Sequence, residues 1–285
     1  MRDNRKKIRY NLAFAFNNLA KEVSGVRANK DIESLHRMRV ASRRLSNILR
    51  AYRYFFNREE TRKMRRAVKK ITRLLGRARD LDTQAVFVQK AAENVKNVRL
   101  APGFKAFFEI IAKNRIHAQD DVLRALCLAR SLTPGNMSVI GSNRDVCAAA
   151  QKNISRRLKE FLKLSKAARR KNAAGALHKM RIGAKHLRYT LENFSFLDQK
   201  KIGYFIEEAR LIQQALGDMH NYNVWRAEAL LEAKKYPHAK KAALYFAGIC
   251  RTLSRQSYQG FLKVYNRQCK EKLWGRLAKL VVDLI

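Results

Sequence analysis

The sequence predicts an all-α fold of two pseudo-twofold-related four-helix bundles, and three observations lead to it. Breakers are scarce, with 3 Pro and 12 Gly among 285 residues. Apolar residues recur at helical period over long segments, and no segment sustains strand alternation. The chain also repeats itself. Leu35-His36-Arg37-Met38-Arg39-Val40-Ala41-Ser42-Arg43-Arg44-Leu45 returns as Leu177-His178-Lys179-Met180-Arg181-Ile182-Gly183-Ala184-Lys185-His186-Leu187, and Leu75-Gly76-Arg77-Ala78-Arg79-Asp80-Leu81-Asp82 returns as Leu216-Gly217-Asp218-Met219-His220-Asn221-Tyr222-Asn223. The second copies lie 142 and 141 residues after the first, so a unit of about half the chain is duplicated.

The clearest break, residues 131–143, falls between the repeats and reads as a linker. It divides a single domain spanning 1–285 into a first repeat, 1–133, and a second, 134–285. Shorter breaks near Ser24-Gly25, Asn57 and Pro102-Gly103 cut the first repeat, and those from Asn172 to Gly175, at Asp198 and at Pro237 cut the second. Each half then holds about four substantial helices. In the helix of the first motif, at ~100° per residue, Arg39, Arg43, Asn47 and Arg50 share a narrow arc with His36. Met38, Ala41, Leu45, Ile48, Leu49, Tyr52 and Phe56 lie opposite. The second copy repeats the division, with His178, Arg181, Lys185 and Arg188 against Met180, Leu187, Leu191 and Phe194.

Two more helices carry cationic rows. Arg62, Arg65, Arg66, Lys69 and Arg73 share one face; Lys152, Arg156, Lys159, Lys163, Lys166 and Arg170 share another. Like charges at i,i+4 destabilise an isolated helix by some tenths of a kcal/mol each. An ordinary solvated face mixes signs, and these rows are nearly free of carboxylates. The bulk charge agrees: Lys+Arg number 62 against 23 Asp+Glu, a formal net charge of +39. A partner that neutralises it, polyanionic in kind, is the default expectation. The halves are not equivalent, since helix 199–217 carries Glu207 and Glu208 and keeps Arg210 as its main cation. The site is therefore expected to be lopsided.

Other classes are less well supported. A hydrophobic fraction of 47% excludes a disordered basic tail. Cys127, Cys147, Cys250 and Cys269 form no CxxC pair, as in a reduced, cytoplasmic protein, and no segment is long and apolar enough for membrane insertion. His36 and His178 suit phosphate contact or packing better than metal, having no HExxH spacing and no carboxylate at i+3 or i+4. Neighbouring cations are expected to lower their pKa. Asp80 and Asp82 are expected to pair with Arg77 and Arg79, and Gly76 and Gly217 to permit close helix packing. Aromatic platforms interleaved with cations, which single-stranded nucleic acid would need, are not evident, and Tyr52, Tyr54, Phe55, Phe56 and Tyr189 mostly face the apolar side or the helix end.

At these motifs the sequence resembles the CHAD family, named for conserved histidines in an α-helical domain. The pieces are His36 to Leu45, Leu75 to Asp82, His178 to Tyr189 and Leu216 to His220, in order and at suitable spacing. Asn221, Asn223 and His186 depart from the family pattern. The resemblance implies a basic central cavity or pore that binds inorganic polyphosphate. It implies no cofactor and no metal, since the chain shows no ExExK-type set of a triphosphatase. The expected polyphosphate-binding residues are His36, Arg39, Arg43, Arg44, Arg50, Arg66, Lys69, Arg73, Arg156, Lys159, Lys163, His178, Arg181, Lys185, Arg188 and Arg210. Polyphosphate granules are a further expected partner and location, and incidental nucleic-acid binding at low salt follows from charge alone. The alternatives are a non-specific RNA- or DNA-binding basic protein and a metal-dependent phosphohydrolase.

Overall fold

The computed structural model describes residues 4–28, 32–95, 97–133, 139–140, 142–168 and 174–283. Among the described residues, ten α-helices run in the order α1 (Asn4–Arg27), α2 (Ile32–Ala51), α3 (Arg58–Glu93), α4 (Ala101–His117), α5 (Gln119–Arg130), α6 (Asn143–Ala168), α7 (Ala174–Phe194), α8 (Gln199–Lys235), α9 (Lys240–Lys270) and α10 (Leu273–Val282). Among the described residues there is no strand, as the periodicity predicts. Part of the linker (134–138 and 141), Arg170 and Asn172 lie outside the described residues.

Two breaks turn out to be helix starts. The Asn57 side chain accepts hydrogen bonds from the Glu59 and Glu60 amides at 2.9 and 3.1 Å, and Asp198 accepts from the Lys201 amide at 3.0 Å. Each satisfies donors that the first turn leaves free. Pro102 sits in the first turn of α4, where its missing N–H costs nothing. The break at Ser24-Gly25 is absorbed into α1, which continues to Arg27.

Helices α1, α2, α3 and α5 pack side by side, as do α6, α7, α8 and α9 with α10. The halves meet through α4 against α9, α2 against α7 and α1 against α6. One continuous core joins them, with Met38, Leu45 and Leu49 of α2 and Met180, Leu187 and Leu191 of α7 all buried in it. Helices α3 and α8, of 36 and 37 residues, are about 55 Å long at 1.5 Å per residue. They outrun that core and build a second one with α4 and the start of α9, around Phe104, Phe107, Trp225 and Phe246.

The glycines correct one expectation. A Cβ on Gly217 would meet nothing within 4 Å, and one on Gly76 only the Arg39 guanidinium, at 3.9 Å. The close helix approaches lie at Gly183, whose Cβ would stand 2.9 Å from Leu164 Cδ1, and at Gly103, 2.9 Å from Ala242 Cβ. Because glycine weakens a helix interior by up to about 1 kcal/mol, Gly217→Ala is expected to stabilise the protein by about 0.5–1 kcal/mol in urea unfolding. Gly103→Ala should destabilise it, and the reverse order would overturn this assignment of the close approaches.

Candidate functional site

The two motif helices face each other across the junction of the halves, and several residues meet their own sequence counterparts. Tyr52, fully buried at the end of α2, packs edge-on against Phe194 with ring centroids 5.6 Å apart. Its hydroxyl donates to the Asn193 carbonyl and accepts from Asn11 Nδ2 at 3.1 Å. About two and a half and three and a half turns earlier, Arg43 and Arg39 both act on Arg181 and on Lys185, so that four cations from two helices act on one another. The pairs 39/181, 43/185 and 52/194 are all separated by 142 residues, the spacing of the repeat.

These cations are half-buried and have few partners. The Nε atoms of Arg39, Arg43 and Arg181 are buried without a hydrogen bond, as are Arg188 Nε and the Nδ1 atoms of His178 and His186. Arg39 has one ion pair, a loose 3.9 Å contact with Asp80, whose side chain is 72% exposed. Burial and the neighbouring Arg181, Arg43, Arg39 and Arg50 bring the Lys185 ammonium down to about 8. Burial likewise lowers Arg39 and Arg181, with the other arginines adding to the effect. A group of cations that depress one another is a site arranged for anions.

The histidines flank this group in equivalent ways. His36 Nδ1 accepts a hydrogen bond from Arg79 Nε at 3.0 Å, and Arg79 reaches Glu33 at 3.8 Å. In the second half His178 packs on His220 with ring centroids 4.4 Å apart, and His220 is the sequence counterpart of Arg79. Burial, then Arg79, lowers His36; burial, then Arg181, lowers His178. His186 and His220 fall to about 4, also chiefly by burial. His36 thus acts as an acceptor that orients Arg79.

The remaining expected residues fall into four sets. Arg50 continues the cluster along α2, where Arg157, Arg156 and Arg65 act on it. Arg44 and Arg188 flank Glu192, a half-buried carboxyl raised by burial, with Arg188 at 3.6 Å. Arg66, Lys69 and Arg73 on α3 and Lys159 and Lys163 on α6 are exposed, and none is among the strongest charges acting on the buried cations. Arg210 is spent on its own helix, donating to Glu207 at 2.6 Å and Gln214 at 3.0 Å. Arg210→Ala is therefore expected to change polyanion affinity by less than twofold in a titration.

Sequence reasoning passed over four residues here. Arg157, 14% exposed and paired with Glu160, lies one position from the row that was recognised. His186, His220 and Arg79 were visible in the motifs but not assigned to the site. The acidic positions also resolve differently from expectation. Asp82 turns away from Arg77 and Arg79 to Arg115 of α4, at 2.7 Å, while its counterpart Asn223 accepts from Ser254 at 2.9 Å. Glu208 is buried against Arg267 and Gln268, each at 2.7 Å, and so faces α9.

Among the described residues no three His, Cys, Asp or Glu side chains come together so as to hold a metal ion. No helix among them is long and apolar enough to cross a membrane.

The comparisons with known proteins agree with this architecture. The structure of the CHAD domain from the plant Ricinus communis matches with a TM-score of 0.62 and 21% identity, over 88% of this chain and 89% of that one. PptA from Streptomyces chartreusis matches with a TM-score of 0.64 and 13% identity, over 90% and 96%. No curated protein is similar in sequence. The family model of the CHAD domain matches residues 11–230, and the chain belongs to the CHAD-domain family.

Proposed function

We propose that this protein binds inorganic polyphosphate, without turning it over, in a cavity between α2 and α7. The observation that supports the reading most is the convergence of Arg39 and Arg43 of α2 on Arg181 and Lys185 of α7, half-buried and with guanidinium nitrogens lacking partners. Residues that meet their own repeat counterparts favour a pseudo-twofold between 1–133 and 134–285. A linear chain with one charge per phosphate can thread such a junction and meet equivalent donors from both walls.

Arg39, Arg43, Arg181 and Arg50 would grip phosphoryl oxygens through planar forks, with Lys185 as a point charge. His36 holds Arg79 in place, and His178 and His220 line the opposite wall. The exposed Lys69, Arg73, Lys159 and Lys163 would guide the chain in. Granule-bound polyphosphate in the cytoplasm is the location that suits such a site. Tyr189, whose phenol acts on Arg39, is 3% exposed and unable to stack a base. This favours polyphosphate over nucleic acid.

Competition tests the reading. Long-chain polyphosphate should displace single-stranded RNA at equal phosphate concentration and moderate salt, with affinity rising with chain length. RNA winning, or affinity indifferent to length, would refute it. Orthophosphate released on incubation with divalent metal would refute the non-catalytic part.

A further inference from the structure

The cationic cluster continues outward to an aromatic ring. From Lys185 it passes to Arg50, from Arg50 to Arg157 and Arg156, and from Arg156 to Arg53, each acting on the next. At that end, in the turn after α2, Tyr54 is 60% exposed while Tyr52, Phe55 and Phe56 are all buried. The Arg53 guanidinium carbon lies 4.4 Å from the Tyr54 ring centroid, and Arg53 also donates to the Tyr54 hydroxyl. The Ile140 amide donates to the Phe55 carbonyl at 2.9 Å and ties the turn in place. Lys152 and Arg156 both act on the phenol oxygen.

A phosphate chain has no use for a ring, whereas a nucleobase does. Base–aromatic stacking is tolerant of base identity and needs only a presented π-face. With Arg53 over the ring, Tyr54 is still 60% exposed, which gives a base surface to stack on. A single-stranded nucleic acid would need successive platforms along its track. Here one exposed ring stands at the end of the cations; the exposed Tyr10 and Phe14 of α1 stack on each other instead, with Lys7 over Tyr10. One base followed by several phosphates is the pattern that fits.

We infer that Tyr54 and Arg53 form a base platform at the exit of the anion track, and that a nucleoside polyphosphate binds there. Its base stacks on Tyr54, and its phosphates run inward over Arg156, Arg157 and Arg50. This assignment rests on the phosphate-binding reading above and adds a ligand class to it.

The test compares adenosine 5′-tetraphosphate with inorganic tetraphosphate by calorimetry on the full chain. The nucleotide carries less charge for the same number of phosphates, so charge alone makes it the weaker ligand. The expected result is binding at least about fivefold tighter for the nucleotide, from a single stacked base. Tyr54→Ala should abolish that advantage and leave tetraphosphate binding unchanged, while Tyr54→Trp should keep it and show indole fluorescence quenched by the nucleotide but not by tetraphosphate. Equal or weaker binding of the nucleotide, or a Tyr54→Ala variant that loses both ligands alike, overturns the platform. If long-chain polyphosphate still binds in that case, only the platform falls. If neither tetraphosphate nor long-chain polyphosphate binds, both readings fall. Tighter binding of oligoadenylate than of the mononucleotide would replace the assignment with single-stranded RNA.

Discussion

Replacing Arg181 with methionine is expected to weaken polyphosphate binding by about 10- to 100-fold and, in the same protein, to raise the melting temperature measured without ligand. The two effects have one cause. Arg181 is half-buried, its Nε has no partner, and Arg43 and Arg39 press on it from the facing helix. Unit charges several ångströms apart at an effective dielectric constant of 20 repel by about 2–3 kcal/mol. Removing one charge should recover about 1 kcal/mol of this after screening, or about 2–4 °C in a chain of this size. A charge-assisted hydrogen bond to the bound anion is worth about 1.5–3 kcal/mol, which sets the loss in binding. Asp80 stays compensated, because Arg39, Arg79 and Arg43 remain beside it.

Arg79→Met is the contrasting variant. Arg79 donates to His36 and pairs with Glu33, so its removal strips partners from both and should lower the melting temperature. Arg181→Glu should abolish binding more completely than Arg181→Met, since it places a carboxylate among the phosphates. A scanning-calorimetry result in which Arg181→Met melts below the parent protein would show that the cluster is not self-repelling, and the account of the site would fail with it.

The sequence shows the fold more fully than the site, and particular residues explain the difference. Helical period and scarce breakers are local signals, and they suffice for the all-α class, although five α-helices stand in each half among the described residues where about four are expected; Asn57 and Asp198 even mark helix starts by their own capping chemistry. The motif faces are also local, so His36, Arg39 and Arg43 could be placed on one strip by counting residues. What counting cannot give is which strip faces which. The meeting of residues with their counterparts 142 positions away depends on how α2 crosses α7. That crossing separates Arg181, inside the cluster, from Lys163, on the outer surface. The packing of α8 on α9 likewise separates Glu207, which neutralises Arg210, from Glu208, which is buried against Arg267. Two adjacent carboxylates on one helix have opposite environments, and only tertiary packing decides which is which. The glycines mislead for a similar reason. Gly76 and Gly217 recur in the motif and so attract notice, whereas the close contacts fall on Gly103 and Gly183.

Polyphosphate affinity is expected to fall about tenfold between pH 7 and pH 9 in the parent protein, and to change by less than about twofold in Lys185→Arg. The sign follows from Lys185. Burial first, and then Arg181, Arg43, Arg39 and Arg50, bring its pKa to about 8 in the free protein. The unfolded chain therefore holds this proton more tightly than the folded one. The charged form costs stability in full below pH 8, and that cost is relieved as pH rises from about 8 toward the ordinary lysine value. A bound anion reverses the preference by favouring the ammonium and raising its pKa. Below pH 8 the proton is already in place and binding needs none; above it, each binding event must take one up, so affinity drops with rising pH. Arginine keeps its charge throughout and should flatten the profile. Little should happen on the acid side. His186 and His220 titrate near 4, and protonating His36 would break the bond it accepts from Arg79. Long chains are the right ligand for the measurement, because their end groups, which also titrate near neutrality, are few. Equal slopes for the parent protein and Lys185→Arg would place the titrating group elsewhere. A slope of opposite sign in the parent protein would mean that Lys185 lies outside the anion's reach.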